Sequence, residues 1–458
     1  MAAHLCRLHH ISLHVSNVNK IVHDLRSKFN FDFFAARLTE KTGQYAFRRG
    51  SAVFLVNEKS NPVGHELNER GSQRELPSMS SFYNSTDNRV RFGDKTSDIR
   101  KLDFLYDHYP HYSVDTVCNV CFEVEDVERS FNALRDQGCQ ILVPPKKVHD
   151  DNGLVTYFVV KSIVGNVYHT LLDRSKYHGM FLPQFDELDS TSELRSVDAS
   201  LCPITHFDHI TYACPRRNTA EVMRWYEKHF GFQRFFIDSF NVSSSSNEDM
   251  NEGYVLDQDG VGLRLTAMEY WKCSEMGIQL PSKNRMDPDC KFVIAESLPE
   301  QGKNQVDTFL EQHRGPGIQH IGLYTTDIVR TAQTMAQAGV EFFTPPPAYY
   351  TEVGKRHEIE SAGHDPQMLS KHGILLDTAL NKEAMSQPPS ERYLLQIFTK
   401  PIFAEDTFFL ELIERRGATG FGEGNIRALW RSVQAYMENE KEDTQKQKSD
   451  VSLKTGKC

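Results

Sequence analysis

The fold is decided by two similar stretches of sequence, Val117–Phe122 (VCNVCF) and Ile318–Leu323 (IQHIGL). The alternation within each stretch predicts a strand. Both are followed, at the same distances, by an aspartate that favours a helix start, a glycine that favours a helix end, and a Pro-Pro pair. Asn119 and His320 lie 201 residues apart, as do Gly138 and Gly339, with no gap between. The chain therefore contains an internal repeat.

A second pairing extends the repeat toward the start of each half. His10-Ile11, followed by Phe29-Asn30-Phe31, matches His209-Ile210, followed by Phe230-Gly231-Phe232, with a spacing that differs by two residues. The chain thus reads as four strand–helix–strand modules of an α+β fold, two in each half.

Composition shifts mark the boundaries between the parts of the chain. Two polar insertions, Glu58–Tyr112 and Asn241–Gly253, are predicted to be mobile loops. We predict an N-terminal domain over residues 1–188, a linker rich in Ser, Asp and Glu over 189–203, a C-terminal domain over 204–437, and a disordered charged tail over 438–458.

Composition and charge exclude several classes of function. The 458-residue chain has a formal net charge of −10, so we expect no nucleic-acid partner. We also expect no transmembrane segment, because no apolar run approaches the roughly 20 residues that a membrane helix needs.

The nine cysteines are scattered and favour a reducing compartment. The first 23 residues contain no acid and weakly resemble a mitochondrial presequence, although the alternation at His10–Val15 favours a strand there.

Three residues of the C-terminal half combine ligand chemistry with equivalent strand positions: His209, His320 and Glu411. A carboxylate in the apolar run around Glu411 is costly to bury without a partner, and a cation supplies one. Two imidazoles and one carboxylate can occupy one face of an octahedron, as in nonheme Fe(II) oxygenases, although zinc or manganese could bind the same set. The matching N-terminal positions are Asn119 and Thr170, so we expect an N-terminal domain without metal.

Other candidate sites are interpreted as structural. Cys118 and Cys121 lie three residues apart in a strand and should point to opposite faces, so no joint zinc or redox role is expected. The segment Gly420–Gly424 lacks the Lys-Ser/Thr pair of a phosphate loop. Four histidines are interpreted as surface or loop residues because no partner set lies at ligand spacing: His9, His10, His357 and His364.

Three C-terminal motifs resemble the signature of the 4-hydroxyphenylpyruvate dioxygenase family, and the resemblance covers most of the chain. These motifs are Leu394–Pro401 (LLQIFTKP), Phe409–Arg415 (FLELIER) and Gly420–Asn425 (GFGEGN). Four others are similar to the dioxygenase-like branch of this family in animals: Glu296–Pro299 (ESLP), Gly322–Thr325 (GLYT), Lys371–Asp377 (KHGILLD) and Gly424–Trp430 (GNIRALW).

The resemblance implies a fold, a metal and a substrate. The fold is the vicinal-oxygen-chelate fold, in which paired βαβββ modules form an open barrel in each half. The metal is Fe(II), held by His209, His320 and Glu411, and the substrates are 4-hydroxyphenylpyruvate and dioxygen. The resemblance also implies a possible homo-oligomer, a mitochondrial location and a role in making the coenzyme Q ring precursor from tyrosine.

The expected substrate pocket keeps some family residues and departs at others. Leu265, Leu298 and Ile426 stand where the dioxygenases carry two polar residues and a Phe, so we expect a repositioned ring and 4-hydroxymandelate as product. Homogentisate formation and a catalytically silent binding protein remain the alternatives. Gln319 matches the family pocket, yet strict alternation would turn it away from the metal. The other expected pocket residues are Gln305, Gln396, Phe398, Phe409, Phe421, Asn425 and Trp430.

The stretch Asn425–Tyr436 has apolar residues at helical spacing. It is interpreted either as a packing helix or as a lid in which Ile426 and Trp430 close the pocket.

Overall fold

The computed structural model divides the chain into two compact units, residues 1–197 and 198–458. The boundary falls inside the predicted linker. Within the described part of the chain, no helix combines the length and apolar character needed to cross a bilayer. The structure describes residues 3–39, 42–58, 104–108, 113–188, 199–235, 254–258, 261–270, 290–298, 303–378, 392–418, 420–422 and 424–426.

The N-terminal unit is one sheet with two helices on the described residues. Its helices are α1 Val18–His23, continued by a π-turn at Asp24–Lys28, and α2 Val127–Asp136. Its strands are β1 Leu5–Val15, β2 Asp32–Leu38, β3 Gly43–Arg49, β4 Ala52–Glu58, β5 Thr116–Val124, β6 Ile141–Asp150, β7 Gly153–Lys161, β8 Tyr168–Tyr177 and β9 Asp186–Glu187.

The C-terminal unit repeats this plan with additional helices. Its helices are α3 Thr219–Phe230, α4 Gln305–Gln312, α5 Ile328–Gln337, α6 Ala348–Thr351, α7 Val353–Ser361 and α8 Pro366–His372. Its strands are β10 Ile204–Cys214, β11 Phe232–Phe235, β12 Tyr254–Gln258, β13 Val261–Tyr270, β14 Lys291–Ser297, β15 Gly317–Thr325, β16 Leu375–Thr378, β17 Tyr393–Phe398 and β18 Phe409–Arg416.

The two sheets have the same topology at their centres. In the N-terminal sheet β1 pairs antiparallel with β5, and each of these strands has a parallel neighbour, β4 and β8. In the C-terminal sheet β10 pairs antiparallel with β15, and their parallel neighbours are β14 and β18. Each sheet is thus built from two βαβββ modules and curls into a half-barrel. The prediction of a repeated vicinal-oxygen-chelate fold is confirmed.

The helices of the repeat begin where the sequence predicts. Asp126 and Asp327 are the N-caps of α2 and α5, and each accepts a hydrogen bond from the backbone N–H three residues later. The side chains of Ile328, Ala332 and Met335 are buried against the sheet. Both helices end just before Gly138 and Gly339, which have positive φ angles.

The predicted loop Glu58–Tyr112 contains a short buried segment, which the sequence did not predict. Phe104–Asp107 is buried in the N-terminal unit, and Tyr106 packs against Tyr157 with ring centroids 4.8 Å apart. Residues 59–103 and 109–112 of this loop, the loop Asn241–Gly253 and the tail from 438 lie outside the described residues.

Candidate metal centre and pocket

His209, His320 and Glu411 converge at one point on the inner face of the C-terminal sheet. The Nε2 atoms of His209 and His320 are 3.4 Å apart. Oε2 of Glu411 lies 3.1 Å from Nε2 of His209 and 3.6 Å from Nε2 of His320. Donors of adjacent metal–ligand bonds of about 2.1 Å lie roughly 3.0 to 3.5 Å apart, so these three side chains fit a divalent cation.

Three neighbouring strands place the three side chains. His209 lies on β10, His320 on β15 and Glu411 on β18, and the register puts His209 beside Gly322, which in turn pairs with Glu411. A Cβ atom on Gly322 would lie 2.4 Å from the imidazole of His209, closer than real contacts allow. Gly322 therefore makes room for the ring of His209 in this site.

Neighbouring side chains orient both imidazoles. Nδ1 of His209 lies 2.9 Å from Oδ1 of Asp208, whose carboxylate accepts two 2.7 Å hydrogen bonds from Arg415. Nδ1 of His320 lies 3.3 Å from Oε1 of Gln319. Since each Nδ1–H is held by an oxygen, each Nε2 lone pair is directed at the shared point, an arrangement typical of metal-bound histidines.

The electrostatics of the site favour a positive charge among these groups. Burial lowers the pKa of His209, but the carboxylates of Glu411 and Asp208 outweigh it and raise the pKa to about 9. Burial and the neighbouring His209 hold the pKa of His320 well below its usual value. A buried carboxylate facing two imidazoles suits a cation.

A chain of hydrogen bonds fixes the other oxygen of Glu411. The amide of Gln396 donates to Oε1 of Glu411 (2.8 Å), and the amide of Asn425 donates to Oε1 of Gln396 (3.1 Å). The hydroxyl of Tyr349 on α6 donates to Oδ1 of Asn425 (2.7 Å). Because Oε1 of Glu411 is occupied in this way, Oε2 is the oxygen presented to the two histidines.

A cavity opens from the three donors. One side is apolar and is formed mainly by residues of β13 and β14, and Phe421, Gly422, Asn425 and Ile426 contribute to the lining. Besides the three donors and Gly422, the lining consists of Thr211, Leu263, Leu265, Val293, Ala295, Gln305, Gln319, Gln396, Phe398, Phe421, Asn425 and Ile426.

Gln319 lines the cavity together with His320, although strict alternation predicts opposite faces. The register of β10 and β15 shifts here, since Thr211 pairs with His320 and Tyr212 with Ile318. Gln319 is therefore the extra residue of a β-bulge, which turns its side chain toward the inner face. The expectation from alternation was wrong because it assumed an unbroken ladder.

Three predicted pocket residues are not among those that line the cavity. Phe409 stacks on the ring of His320 with centroids 4.8 Å apart, and so supports a ligand. Leu298 is half-buried just after β14. Trp430, like the rest of the predicted lid beyond Ile426, lies outside the described residues.

Several residues of the site were missed by sequence reasoning. Asp208, Arg415 and Tyr349 act on the proposed ligands only through other side chains, so no spacing in the sequence reveals them. Thr211 lies two residues after His209 on the same strand, a period-two signal that could have been used. Its hydroxyl is buried and has no hydrogen-bond partner among the described residues.

The fold and the three donors define a class of protein. The family model of the Glyoxalase/Bleomycin resistance protein/Dioxygenase superfamily matches residues 206–365. A variant of 4-hydroxymandelate synthase from Streptomyces coelicolor has a TM-score of 0.64 at 20% identity, over 95% of this chain and 100% of that one. The protein is thus a vicinal-oxygen-chelate protein with a candidate metal centre in its second half.

Sequence relatives define the family within this class. The 4-hydroxyphenylpyruvate dioxygenase-like proteins of Mus musculus and Homo sapiens are 38% and 37% identical to it, over 95% of this chain and 98% of theirs. The 4-hydroxyphenylpyruvate dioxygenase of Yarrowia lipolytica is 30% identical over 70% of this chain and 72% of its own. The chain belongs to the 4-hydroxyphenylpyruvate dioxygenase-like family, which confirms the resemblance seen in the sequence.

Proposed function

We propose that the protein is an Fe(II)-dependent dioxygenase that converts 4-hydroxyphenylpyruvate and dioxygen into 4-hydroxymandelate and carbon dioxide. One observation carries this proposal: two imidazoles and one carboxylate, with donor atoms 3.1 to 3.6 Å apart, lie at one end of a largely apolar cavity. The same set of ligands is the facial triad of nonheme Fe(II) oxygenases.

His209, His320 and Glu411 would hold the iron, which supplies positions for a chelating 2-oxo acid and for dioxygen. The protein's own residues orient the substrate. The amide of Gln396 holds Oε1 of Glu411, so the carboxylate keeps a fixed orientation. Phe421 and Ile426 add apolar surface to the lining of the cavity, and Asn425 adds an amide that is bonded to Gln396.

The apolar wall supports benzylic hydroxylation over ring attack. Leu265 and Ile426 line the cavity at positions where the dioxygenases resembled here carry a small polar residue and a Phe. Loss of a hydrogen-bond partner for the phenol lets the ring take a different position, and the carbon nearest the oxidant is the one that reacts. We therefore favour 4-hydroxymandelate over its isomer homogentisate.

The proposal extends to the biological role. 4-Hydroxymandelate carries the oxidised side chain from which a benzoquinone ring precursor can be made, so we include a mitochondrial role in coenzyme Q head-group synthesis from tyrosine. The support for this role is the family membership of the chain.

Oxygen consumption and product identity together test the function. Iron-loaded wild-type protein should consume oxygen when 4-hydroxyphenylpyruvate is added, and Glu411→Ala should not. Glu341→Ala, which removes an exposed carboxylate of the same half, is the matched control and should behave as wild type. The two candidate products are isomers, so they must be separated chromatographically.

The outcomes distinguish the alternatives. Homogentisate as the main product would overturn the choice of product but keep the dioxygenase. No oxygen consumption by iron-loaded, folded protein would favour a silent binding protein instead.

A further inference from the structure

A second cluster of metal-ligand side chains lies in the N-terminal half, at a β-bulge between β1 and β5. The register pairs Leu8 with Phe122 and His10 with Cys121, which leaves His9 as the extra residue on β1. A bulge turns two successive side chains toward the same side of a strand. His9 and His10 are therefore neighbours in space, with Cys121 opposite them.

The three side chains offer ligand atoms that all lie within 4.8 Å of one another. The Nδ1 atoms of His9 and His10 are 2.7 Å apart. Phe181 packs on both rings, stacked on His9 at 5.5 Å and edge-on to His10 at 5.7 Å between centroids. His10 and Cys121 are fully buried and His9 is 9% exposed, so the cluster is built into the core.

A carboxylate lies beside His9. Oε1 of Glu123 lies 3.9 Å from Nε2 of His9 and accepts a hydrogen bond from Arg7. A carboxylate on this side favours the tautomer that leaves Nδ1 of His9 free to bind a metal.

This cluster shares one position with the candidate iron centre, since His10 is the counterpart of His209, but its other two residues differ. The same bulge occurs between β10 and β15, where Asp208 is the extra residue and His209 pairs with Gly322. The repeat therefore replaces Asp208 by His9 and Gly322 by Cys121. Both replacements add a side chain that can bind a soft metal ion.

We infer that His9, His10 and Cys121 form a second metal site, selective for a thiophilic cation such as Zn²⁺. Imidazole nitrogen and cysteine thiolate are both zinc ligands, with bonds of about 2.0–2.1 Å to nitrogen and about 2.3 Å to sulfur, and a zinc ion with three protein ligands takes water in its fourth position. Tetrahedral binding needs roughly 3.3 Å between the two nitrogens, so the rings must separate by about 0.6 Å. Binding releases the proton shared by the imidazoles and the thiol proton of Cys121.

The charge of such a site is balanced by its neighbours. Arg7 and Arg174 lie near His9 and disfavour added positive charge. The thiolate of Cys121 removes one unit of that charge, and Glu123 compensates Arg7 through their 2.8 Å ion pair. The thiolate of Cys121 is the only ligand of the cluster that carries a negative charge. The cluster therefore favours a cation that binds sulfur, such as Zn²⁺.

Spectroscopy with Co²⁺ separates this site from the iron centre, which contains no sulfur ligand. Tag-free, metal-stripped full-length protein is titrated with Co²⁺ under anaerobic reducing conditions. We expect an intense near-ultraviolet thiolate-to-cobalt band that saturates at one equivalent of thiolate-bound metal per chain and disappears when Zn²⁺ is added. The unfolding temperature should rise with Zn²⁺ as the bound state is stabilised.

Variants assign the band to its ligands. Cys121→Ser and, as a second route if that variant does not fold, His9→Gln should lose the band. Cys118→Ser, a buried cysteine on the same strand, should keep it, as should Glu411→Ala in the other half. Absence of the band in wild type, its survival in Cys121→Ser, or its loss in folded Cys118→Ser would each overturn the assignment, whatever the enzyme's activity proves to be.

His9 and His10 are not the surface or loop residues that their spacing predicted, because both are buried on β1. Cys121, which lies beside them, is on another strand, and the bulge that aligns the three is not visible in the sequence. The expectation that Cys118 and Cys121 point to opposite faces was also wrong. The register shift between Ser12 and Leu13 leaves Cys118 as the extra residue of another bulge, and both cysteines pack in one core cluster. Sγ of Cys118 lies 3.4 Å from the hydroxyl of Tyr168.

Discussion

The two halves of the molecule share one framework but use its inner face differently. In the C-terminal half His320 and Glu411 face an open cavity. In the N-terminal half the equivalent residues, Asn119 and Thr170, donate hydrogen bonds to the backbone carbonyl of Tyr106, at 3.3 and 2.9 Å. The buried segment Phe104–Asp107 thus fills the place that corresponds to the cavity. A repeated sheet leaves an open cavity only where no chain segment occupies its inner face.

The polar groups of the two inner faces follow the same division. In the N-terminal half Asp107 accepts hydrogen bonds of 2.6 Å from Tyr168 and Asn57 and lies 3.3 Å from Nε2 of His14. These four side chains form one buried network. In the C-terminal half the hydroxyl of Thr211 is buried beside the cavity with no partner among the described residues. Its N-terminal counterpart, Ser12, is hydrogen-bonded to Asp107. The hydroxyl of Ser12 thus has a partner within its own half, whereas that of Thr211 is left for a ligand.

The largest expected effect comes from adding a side chain at Gly322, whose N-terminal counterpart, Cys121, has one. Gly322→Ala should displace the ring of His209, since the added Cβ would lie 2.4 Å from it. We expect loss of bound iron and a fall in turnover of at least about 100-fold, the typical cost of misplacing a reacting group by about 1 Å. Metal analysis measures the bound iron, and oxygen consumption measures the turnover.

The control is Gly354→Ala on α7, where an added Cβ contacts nothing. Equal iron content in the two variants would contradict the role of Gly322.

An intermediate effect is expected from the buried ion pair of the N-terminal half. Burial lowers the pKa of His14, but Cys118 and Asp107 outweigh this effect and raise the pKa to about 10. Burial raises the pKa of Asp107, but His14 and the hydrogen bonds to the carboxylate outweigh it and lower the pKa to about 2. The stabilisation from His14 is complete below its unfolded pKa of about 6.5 and is lost as the pH rises through about 10. The stabilisation from Asp107 is present above its unfolded pKa of about 3.9 and is lost as the pH falls toward about 2.

His14→Gln tests this pair. At pH 6 the variant should lose about 3 kcal/mol of unfolding free energy, because a buried carboxylate is left without its charged partner. The difference from wild type should shrink as the pH rises toward 10. Denaturant unfolding across this range measures it, while iron content should stay unchanged. A difference that is constant with pH would show that His14 is not charged in the folded protein.

The smallest expected effects are changes in unfolding free energy at the equivalent residues Thr211 and Ser12, and the two changes have opposite signs. Thr211→Val removes an unsatisfied buried hydroxyl and should raise the unfolding free energy of ligand-free protein by about 1 kcal/mol. Ser12→Ala removes a hydroxyl that is bonded to Asp107 and should lower it by about 1 kcal/mol. If Thr211 binds the substrate, Thr211→Val should also raise KM several-fold, and Thr211→Ser should restore it. A loss of stability in Thr211→Val would mean that its hydroxyl is already satisfied.

Much of the fold could be predicted because its signals are local. The N-caps Asp126 and Asp327, the glycines that follow the helices and the alternating strands are read within about 20 residues, and the repeat doubles each signal. The candidate metal set was found for the same reason, since His209 and His320 open equivalent modules. The register shifts at His9, Asp208 and Gln319 could not be predicted, because a bulge depends on how two distant strands pair.

The sequence by itself determined the repeated α+β framework, the family, and the three side chains that make a metal centre plausible, since periodicity and residue chemistry are written along the chain. Only the tertiary structure decided that a cavity opens beside the three C-terminal donors, that Phe104–Asp107 is buried against the corresponding N-terminal positions, and that Cys121 lies beside His9 and His10. These features depend on packing between segments far apart in sequence. Such packing is selected by the fit of whole surfaces, and no single stretch of residues encodes it.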